Sequence, residues 1–397
     1  MTERPPEPGD ESPPEPRPLT EGMRAMGRTR RFTRGCLAAA VAALMAVTAA
    51  SAPAAQGSPD RSAAPRELGV ATYNVYLGAD LTPLFAAGNQ QEFVAAAAAV
   101  YAQMEYTDFP RRAEAIADQI GAHEPEVLGL QEVALWQKGP LGGPLGTTYD
   151  FLEVLLDALA ARGMDYEAVA TNANFGTTQP VPISATEQVS FLDRDVILVR
   201  TDSRLKVRNA QSALFDAALT LPSAIGPITV PRGYSTVDVK VRGKWVRVAN
   251  THLEAFGGRF VRELQGRELI AALAGSPYPV VVLGDLNTCP ENTDPCTLDD
   301  TYEDVVGAGY VDAWAELNGI QGGWTSGQSA TLDDPDEITH RIDYVLHRGA
   351  GLRATEVEVI GEEEADRTGG TPNLWPSDHA GVVATIVRAR PGRHVHD

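Results

Sequence analysis

Six strand-length apolar runs are each bounded by a short polar signature, in order from residue 73 to residue 379. The signatures are Tyr73-Asn74, Leu130-Gln131-Glu132, Asn250-Thr251-His252-Leu253, Gly284-Asp285-Leu286-Asn287, Arg341-Ile342-Asp343-Tyr344 and Ser377-Asp378-His379. A short apolar, β-branched run closed by turn residues reads as a buried strand. Polar side chains that recur at such ends gather at one rim when the strands pair. The chain therefore has to build sheets, and its reactive groups have to sit at strand ends.

The remaining elements decide how the sheets are covered. Strands are expected over Leu68–Val75, Val127–Leu130, Tyr166–Thr171, Gln188–Leu192, Asp195–Arg200, Leu205–Ala213, Val280–Leu283, Asp343–His347, Ala354–Ile360 and Ala380–Arg388. Ser235–Arg242 and Lys244–Asn250 read as a hairpin about Gly243. Helical periodicity marks Gln90–Met104, Arg111–Ala122, Tyr149–Arg162 and Phe260–Leu273. Residues 77–88 and the Gly-rich stretch 137–148 read as loops. Helices interleaved with hairpins predict an α+β, four-layer sandwich. Two packed mixed sheets would carry helices on the outside.

Residues 1–66 do not read as folded. Arg24, Arg28, Arg30, Arg31 and Arg34 form a basic region, an Ala-rich run extends from Cys36 to Ala50, and Ala52-Pro53-Ala54 fits a small-x-small cleavage site. The expected organisation is an N-terminal extension with secretory signal over 1–54, a Pro/Ser/Ala/Arg linker over 55–66, one domain over 67–390 and a tail over 391–397. The apolar run is shorter than the roughly 18–20 residues that a membrane span needs. Met23 or Met26 are alternative starts. After cleavage Cys289 and Cys296 remain, and an exported chain with such a close pair predicts a local disulfide.

The first 54 residues hold seven Arg and six Asp or Glu, which leaves 26 basic against 47 acidic residues, a net charge of −21. So acidic a chain disfavours a nonspecific, salt-driven grip on nucleic acid. It does not exclude a nuclease whose metal neutralises the phosphate.

Glu132, Asp285, Asp343 and Asp378 are oxygen ligands suited to Mg²⁺. Asn74 and Asn287 can present an amide to a metal or a phosphate oxygen. His252 and His379 are the acid–base candidates, because histidine alone titrates near neutrality unperturbed. Asp378 and His379 point opposite ways if extended, which frees Asp378 for a metal and leaves Asp343 to orient His379. Each residue alone is as well explained by a turn or a solvated loop; the ordered set is not.

That set resembles the endonuclease/exonuclease/phosphatase superfamily over about residues 68 to 388. The resemblance implies a Mg²⁺ ion, with Mn²⁺ as substitute, surrounded by Asn74, Glu132 and Asp378. It implies that Asp285 and Asn287 position water and phosphate, with Asn74 also near the substrate. It makes Asp343 and His379 the acid–base dyad and His252 a second histidine on the scissile phosphate. The implied reaction is in-line attack of water on phosphorus. A nuclease-type phosphodiesterase acting as a monomer is the favoured expectation. A sphingomyelinase or phospholipase C-like enzyme, a phosphoinositide phosphatase and a non-catalytic binding protein on the same fold are the alternatives.

Some features lie outside the motif set. Asp193 is a candidate orienter of His252. Residues 77–110 form a long connection that would shape specificity if it lay beside the site. Leu219–Val230 is a candidate apolar hairpin. Phe256–Phe260, Trp136 and Trp324 are candidate substrate contacts, and Asp312 with Trp314 reads as structural.

Overall fold

The structure is a computed structural model that describes residues 67–177, 179–256, 259–290, 299–335 and 337–388. The expected signal, linker and tail, and Cys296 of the expected disulfide, lie outside the described residues; Cys289 is buried. The first part of the chain forms β1 (Glu67–Asn74), α1 (Thr82–Ala86), α2 (Gln90–Tyr106), α3 (Phe109–His123), β2 (Val127–Gln131), β3 (Leu135–Pro140), β4 (Gly146–Asp150) and α4 (Phe151–Ala161). Then come β5 (Tyr166–Gly176), β6 (Val181–Pro182), β7 (Glu187–Arg200), β8 (Val207–Leu214), β9 (Leu219–Leu221), β10 (Ile228–Val230), β11 (Gly233–Val241) and β12 (Lys244–His252). The last part holds α5 (Arg259–Ala274), β13 (Val280–Asp285), α6 (Thr301–Gly307), β14 (Val311–Asp312), α7 (Ala313–Asn318), β15 (Asp343–Arg348), β16 (Leu352–Ile360) and β17 (Gly381–Arg388).

One sheet runs β16-β17-β1-β2-β7-β3-β4, with β5 and β6 also paired to β7, and a second runs β14-β15-β13-β12-β11-β8. The β1–β2 and β12–β13 pairs are parallel in otherwise antiparallel sheets, so both are mixed. Alternation along each strand sorts side chains into layers. Leu68 and Val70 of the first sheet meet Val246, Val248, Val281, Leu283 and Val345 of the second in a core between them. Ala71, Tyr73, Leu128 and Leu130 face the other way, onto Ile116 and Ile120 of α3 and Leu155 of α4. Val280, Val282 and Leu346 face Leu269 and Leu273 of α5 and Val305 of α6. These are the four expected layers.

Two devices hold the sheets in register. A Cβ on Gly129 would lie 2.6 Å from Asn250 Oδ1 and 2.7 Å from Leu283 Cβ, so only glycine admits this approach. Beside it Gln131 Nε2 donates to Asn250 Oδ1 at 2.6 Å, and Asn250 Nδ2 donates to the Leu130 and Val196 carbonyls at 3.0 and 3.2 Å. Buried amides satisfied across an interface tolerate no slip, because a shifted register would leave them unpaired.

Several local readings change. The stretch 137–148 is a hairpin, β3–β4, rather than a loop. Its Gly and Pro content is poor for a strand, and pairing of β3 with β7 overrides that preference. The two strands expected at 188–192 and 195–200 are one strand, β7. The strand continues through Asp193 and Arg194, with Arg194 paired to Ala173, a register shift in the β5 ladder between Ala173 and Gly176, and Asp193 buried. Helix α4 starts at Phe151 rather than Tyr149, where Asp150 accepts from Leu152 N at 3.1 Å as a cap. The expected 77–88 loop contains α1, and the candidate apolar hairpin is present as β9–β10.

Candidate active site

The period-2 rows that fill the core turn polar at one end of the sandwich. The row Leu68, Val70, Thr72 ends at Asn74. The row Val246, Val248, Asn250 ends at His252, and Val281, Leu283 ends at Asp285. Asp343 opens β15 and sits opposite Asp285 in the ladder, with Val345 continuing inward. Alternation that is apolar below and reactive at the rim is what places these groups together.

Asp285 is the hub, with only 1% of its surface exposed. Its Oδ2 accepts from Asn74 Nδ2 at 3.1 Å and lies 3.4 Å from His252 Nε2 and 3.9 Å from His379 Nε2. Its Oδ1 accepts from the Asn287 backbone N–H at 2.9 Å, and Asn287 holds a left-handed φ of 51° to make that turn. Burial, then the Asp343 charge, pushes the Asp285 carboxyl up to about 7.

The two histidines are set in opposite states. His252 Nδ1 lies 3.2 Å from the guanidinium of Arg232, which can only donate. His252 therefore accepts at Nδ1 and carries its proton on Nε2, facing Asp285. Burial, Arg232 and His379 hold its pKa well below the usual value, so it is neutral. His379 Nδ1 meets Asp343 Oδ2 at 2.8 Å. Burial opposes its charge, but Asp343 and Asp285 outweigh it and hold the imidazolium well above the usual value. Thr325 Oγ1 accepts from the Asp343 N–H at 3.1 Å and fixes the strand entry.

Glu132 and Asp378 face a cavity of about 230 Å³ that Tyr76, Arg232 and Phe256 also line. Glu132, at φ 58°, accepts from Asn74 Nδ2 at 3.1 Å and from the Leu77 N–H at 2.8 Å. Ser377 Oγ donates to Asp378 at 3.3 Å. Burial raises the Asp378 carboxyl to about 7, with His379 lowering and Glu132 raising it further.

Comparison with known proteins decides what this constellation belongs to. The sequence profile of the Endonuclease/Exonuclease/phosphatase family matches residues 71–379. The chain belongs to this family. Members are metal-dependent phosphoric ester hydrolases, and the chain is an enzyme of that class. In structure it resembles an endonuclease/exonuclease/phosphatase family protein from Bacteroides thetaiotaomicron, at 16% identity and a TM-score of 0.51, over 82% of this chain and 99% of that one. That likeness carries the fold alone. An endonuclease/exonuclease/phosphatase from Beutenbergia cavernae is 24% identical, with a TM-score of 0.49, over 81% of this chain and 72% of that one. No curated protein matches the sequence.

A family enzyme needs a place for its metal, and two groups of this chain compete for it. Asp285, Asp343 and His379 bring ligand atoms within 4.8 Å of one another. His379, however, is held protonated against Asp343, and an imidazolium has no lone pair to offer at either nitrogen. Glu132 and Asp378 fit better. They are an all-oxygen pair in an accessible cavity, and the Glu132 carboxylate disfavours the charge of Asp378. Asn74 is beside them, although its Oδ1 accepts from the Tyr76 N–H at 3.0 Å.

The family frame also shows what the motifs missed. Arg232, Arg112 and Thr325 lie outside all six signatures, yet Arg232 and Thr325 contact site residues and Arg112 holds the backbone beside them. Asp193 does not touch His252 as expected, because Arg232 intervenes and donates to Asp193 Oδ2 at 3.0 Å. Asn287 Nδ2 donates to the Leu253 carbonyl at 3.0 Å. Arg112 is fully buried and donates to the backbone on both sides of the rim. Asp312 caps α7 at Trp314 and pairs with Arg341, a structural role as expected. Of the candidate substrate contacts, Phe256 lines the site cavity. Trp136 is buried and donates to the Leu77 carbonyl, and Trp324 is 53% exposed.

Proposed function

We propose that the protein is an exported hydrolase that cleaves phosphodiester bonds by in-line attack of water. The observation that carries this reading is the Asp285 hub, which gathers Asn74, His252 and His379 on one carboxylate oxygen. A carboxyl near pH 7 is matched to proton abstraction at neutrality, so Asp285 takes the proton of the attacking water. The turn at Asn287 fixes that carboxylate. His252 presents a neutral Nε2–H donor to a phosphate oxygen, and the His379 imidazolium, held by Asp343, stabilises the negative charge on the phosphoryl oxygens in the transition state. Mg²⁺ or Mn²⁺ bound by Glu132 and Asp378, beside Asn74, would supply the positive charge that offsets the leaving oxygen. Export rests on the N-terminal sequence, whose basic region, Ala-rich run and small-x-small site read as a secretory signal.

A small phosphoester suits the site better than a long polyanion. A nucleic-acid grip would need a basic rim, and several arginines are engaged within the protein. Arg111 donates to the Gly369 and Pro372 carbonyls, Arg262 pairs with Asp299, and Arg267 pairs with Asp304. Among the described residues, Asp80, Glu132, Asp193 and Asp378 line the cavity against one cation, Arg232. Nucleic acid grip draws on many free cations at phosphates.

Turnover of 4-nitrophenyl methyl phosphate with Mg²⁺ or Mn²⁺, then with EDTA, tests the reading. Plasmid DNA, RNA, sphingomyelin and a phosphoinositide run in parallel. Metal-dependent release of nitrophenolate that is lost in His379→Ala and Glu132→Gln is expected. Calorimetry showing no Mg²⁺ binding would remove the metal assignment.

A further inference from the structure

A second cavity, about 500 Å³, adjoins the catalytic one. Leu81 and Phe175 line both. The Phe85 ring, on the wall of the larger cavity, lies 6.4 Å from that of Phe175 and 5.7 Å from that of Phe256, which lines the catalytic cavity. The larger cavity is walled by α1 and α2 of the 77–110 connection, by Trp136 and Phe191, and by the β9–β10 hairpin. Its lining includes no Asp, Glu, Lys, Arg or His among the described residues. Ile225, at the hairpin turn, is 54% exposed on its rim.

A protein core packs to crystal density, and an apolar void costs stability in proportion to its size. An apolar cavity of some hundreds of Å³ beside a polar reaction centre is instead the usual form of a ligand site. Helix α1 buries none of its residues, and Leu84 and Phe85 turn toward the void rather than filling it.

We propose that this cavity binds the aliphatic chain of a phosphoester amphiphile whose phosphate lies between Glu132, Asp378 and Arg232. The proposal rests on the phosphoesterase reading and deepens it by naming the substrate class. Adjacency to the catalytic cavity, with Leu81 and Phe175 lining both, argues for a chain covalently joined to the phosphate, rather than a segment of another protein. The acidic lining, with one cation among the described residues, argues for one phosphate group rather than many.

The test is a homologous series of 4-nitrophenyl alkyl phosphates, methyl to dodecyl, below their micelle concentrations, with the full chain and Mg²⁺. Each methylene that leaves water raises kcat/KM about fourfold until the cavity is full. The profile should therefore climb and then level off. Ala97→Trp, which fills the cavity from α2, should flatten it. Ile225→Asp, at an exposed position that does not threaten folding, should lower the long esters more than the methyl ester. Methyl-ester turnover with a flat chain-length profile overturns the cavity proposal and leaves the phosphoesterase reading intact. Failure of every ester breaks the phosphoesterase reading, and calorimetry with dodecyl phosphonate then decides the cavity. Binding that Ala97→Trp abolishes upholds it, and no binding overturns it.

Discussion

Arg112→Lys tests how the rim is held. Arg112 is 0% exposed. Its Nη1 donates to the Val75 and Pro376 carbonyls at 2.7 and 2.9 Å, its Nη2 to Tyr76 O at 3.0 Å and its Nε to Thr107 O at 2.8 Å. Val75 and Tyr76 follow Asn74, and Pro376 precedes Ser377-Asp378-His379. One side chain from α3 thus pins the two backbone segments that carry Asn74 and Asp378. Burial lowers its pKa to about 10, so it stays charged at neutrality. The Phe109 ring, 4.9 Å from the guanidinium carbon, adds a cation–π contact.

Lysine keeps the charge but offers donors from one nitrogen, which cannot reach carbonyls arranged around a planar fork. If two of the four bonds are lost, at about 1.5 kcal/mol each for a charged donor, stability falls by about 3 kcal/mol. Most domains survive a loss of that size. Urea denaturation should show the midpoint falling with an unchanged slope. Calorimetry on the folded variant should show Mg²⁺ affinity weakened about tenfold or more, as for other residues that orient metal ligands. An unchanged urea midpoint would refute the staple itself. A lowered midpoint with unchanged Mg²⁺ affinity would refute the link between the staple and the metal position.

Asp343→Asn should leave the fold intact and reduce kcat on the order of 10³-fold or more, because the amide no longer holds the His379 charge; a steady-state assay at pH 7 measures it. Mg²⁺ must displace the proton from Asp378, whose carboxyl titrates near 7, so affinity should fall by up to tenfold per pH unit below that point. Calorimetry from pH 5 to 8 checks the slope, and a flat profile would count against Asp378 as a ligand. Asp195 is buried, accepts from Asn174 at 2.7 Å, and is raised well above the usual carboxyl value by burial and then by Asp193. A raised folded pKa contributes stability below the unfolded value near 4 that is lost as pH rises through the folded one. Asp195→Asn should therefore flatten the pH dependence of stability and raise the urea midpoint at pH 8 relative to the parent. A variant less stable than the parent at pH 8 would contradict that sign.

The strand ends were legible in the sequence because two rules act locally. Alternation assigns residues to faces, and an apolar run that stops at Asn74, His252 or Asp285 marks a rim. Together with the helical periodicities they also defined the layers, since each element shows which face it must bury. The order of the signatures carried the family.

Neither rule reaches across the chain. Nothing in the sequence shows that the helix carrying Arg112 docks under the rim. Arg232 sits in a short Pro-Arg-Gly turn, and only the packing of β11 against β12 and β7 sets it between Asp193 and His252. The state of each histidine is likewise a tertiary property. His252 is held neutral by burial and by a cation, and His379 is held charged by carboxylates. The apolar cavity beside the site is the same kind of feature. Its walls come from a helical connection, a hairpin and strands β3, β5, β6 and β7, which are remote from one another in the chain, and burial is decided by what meets in space. Periodicity and strand-end chemistry belong to the sequence by itself; partners, protonation and voids exist only once the sheets are closed.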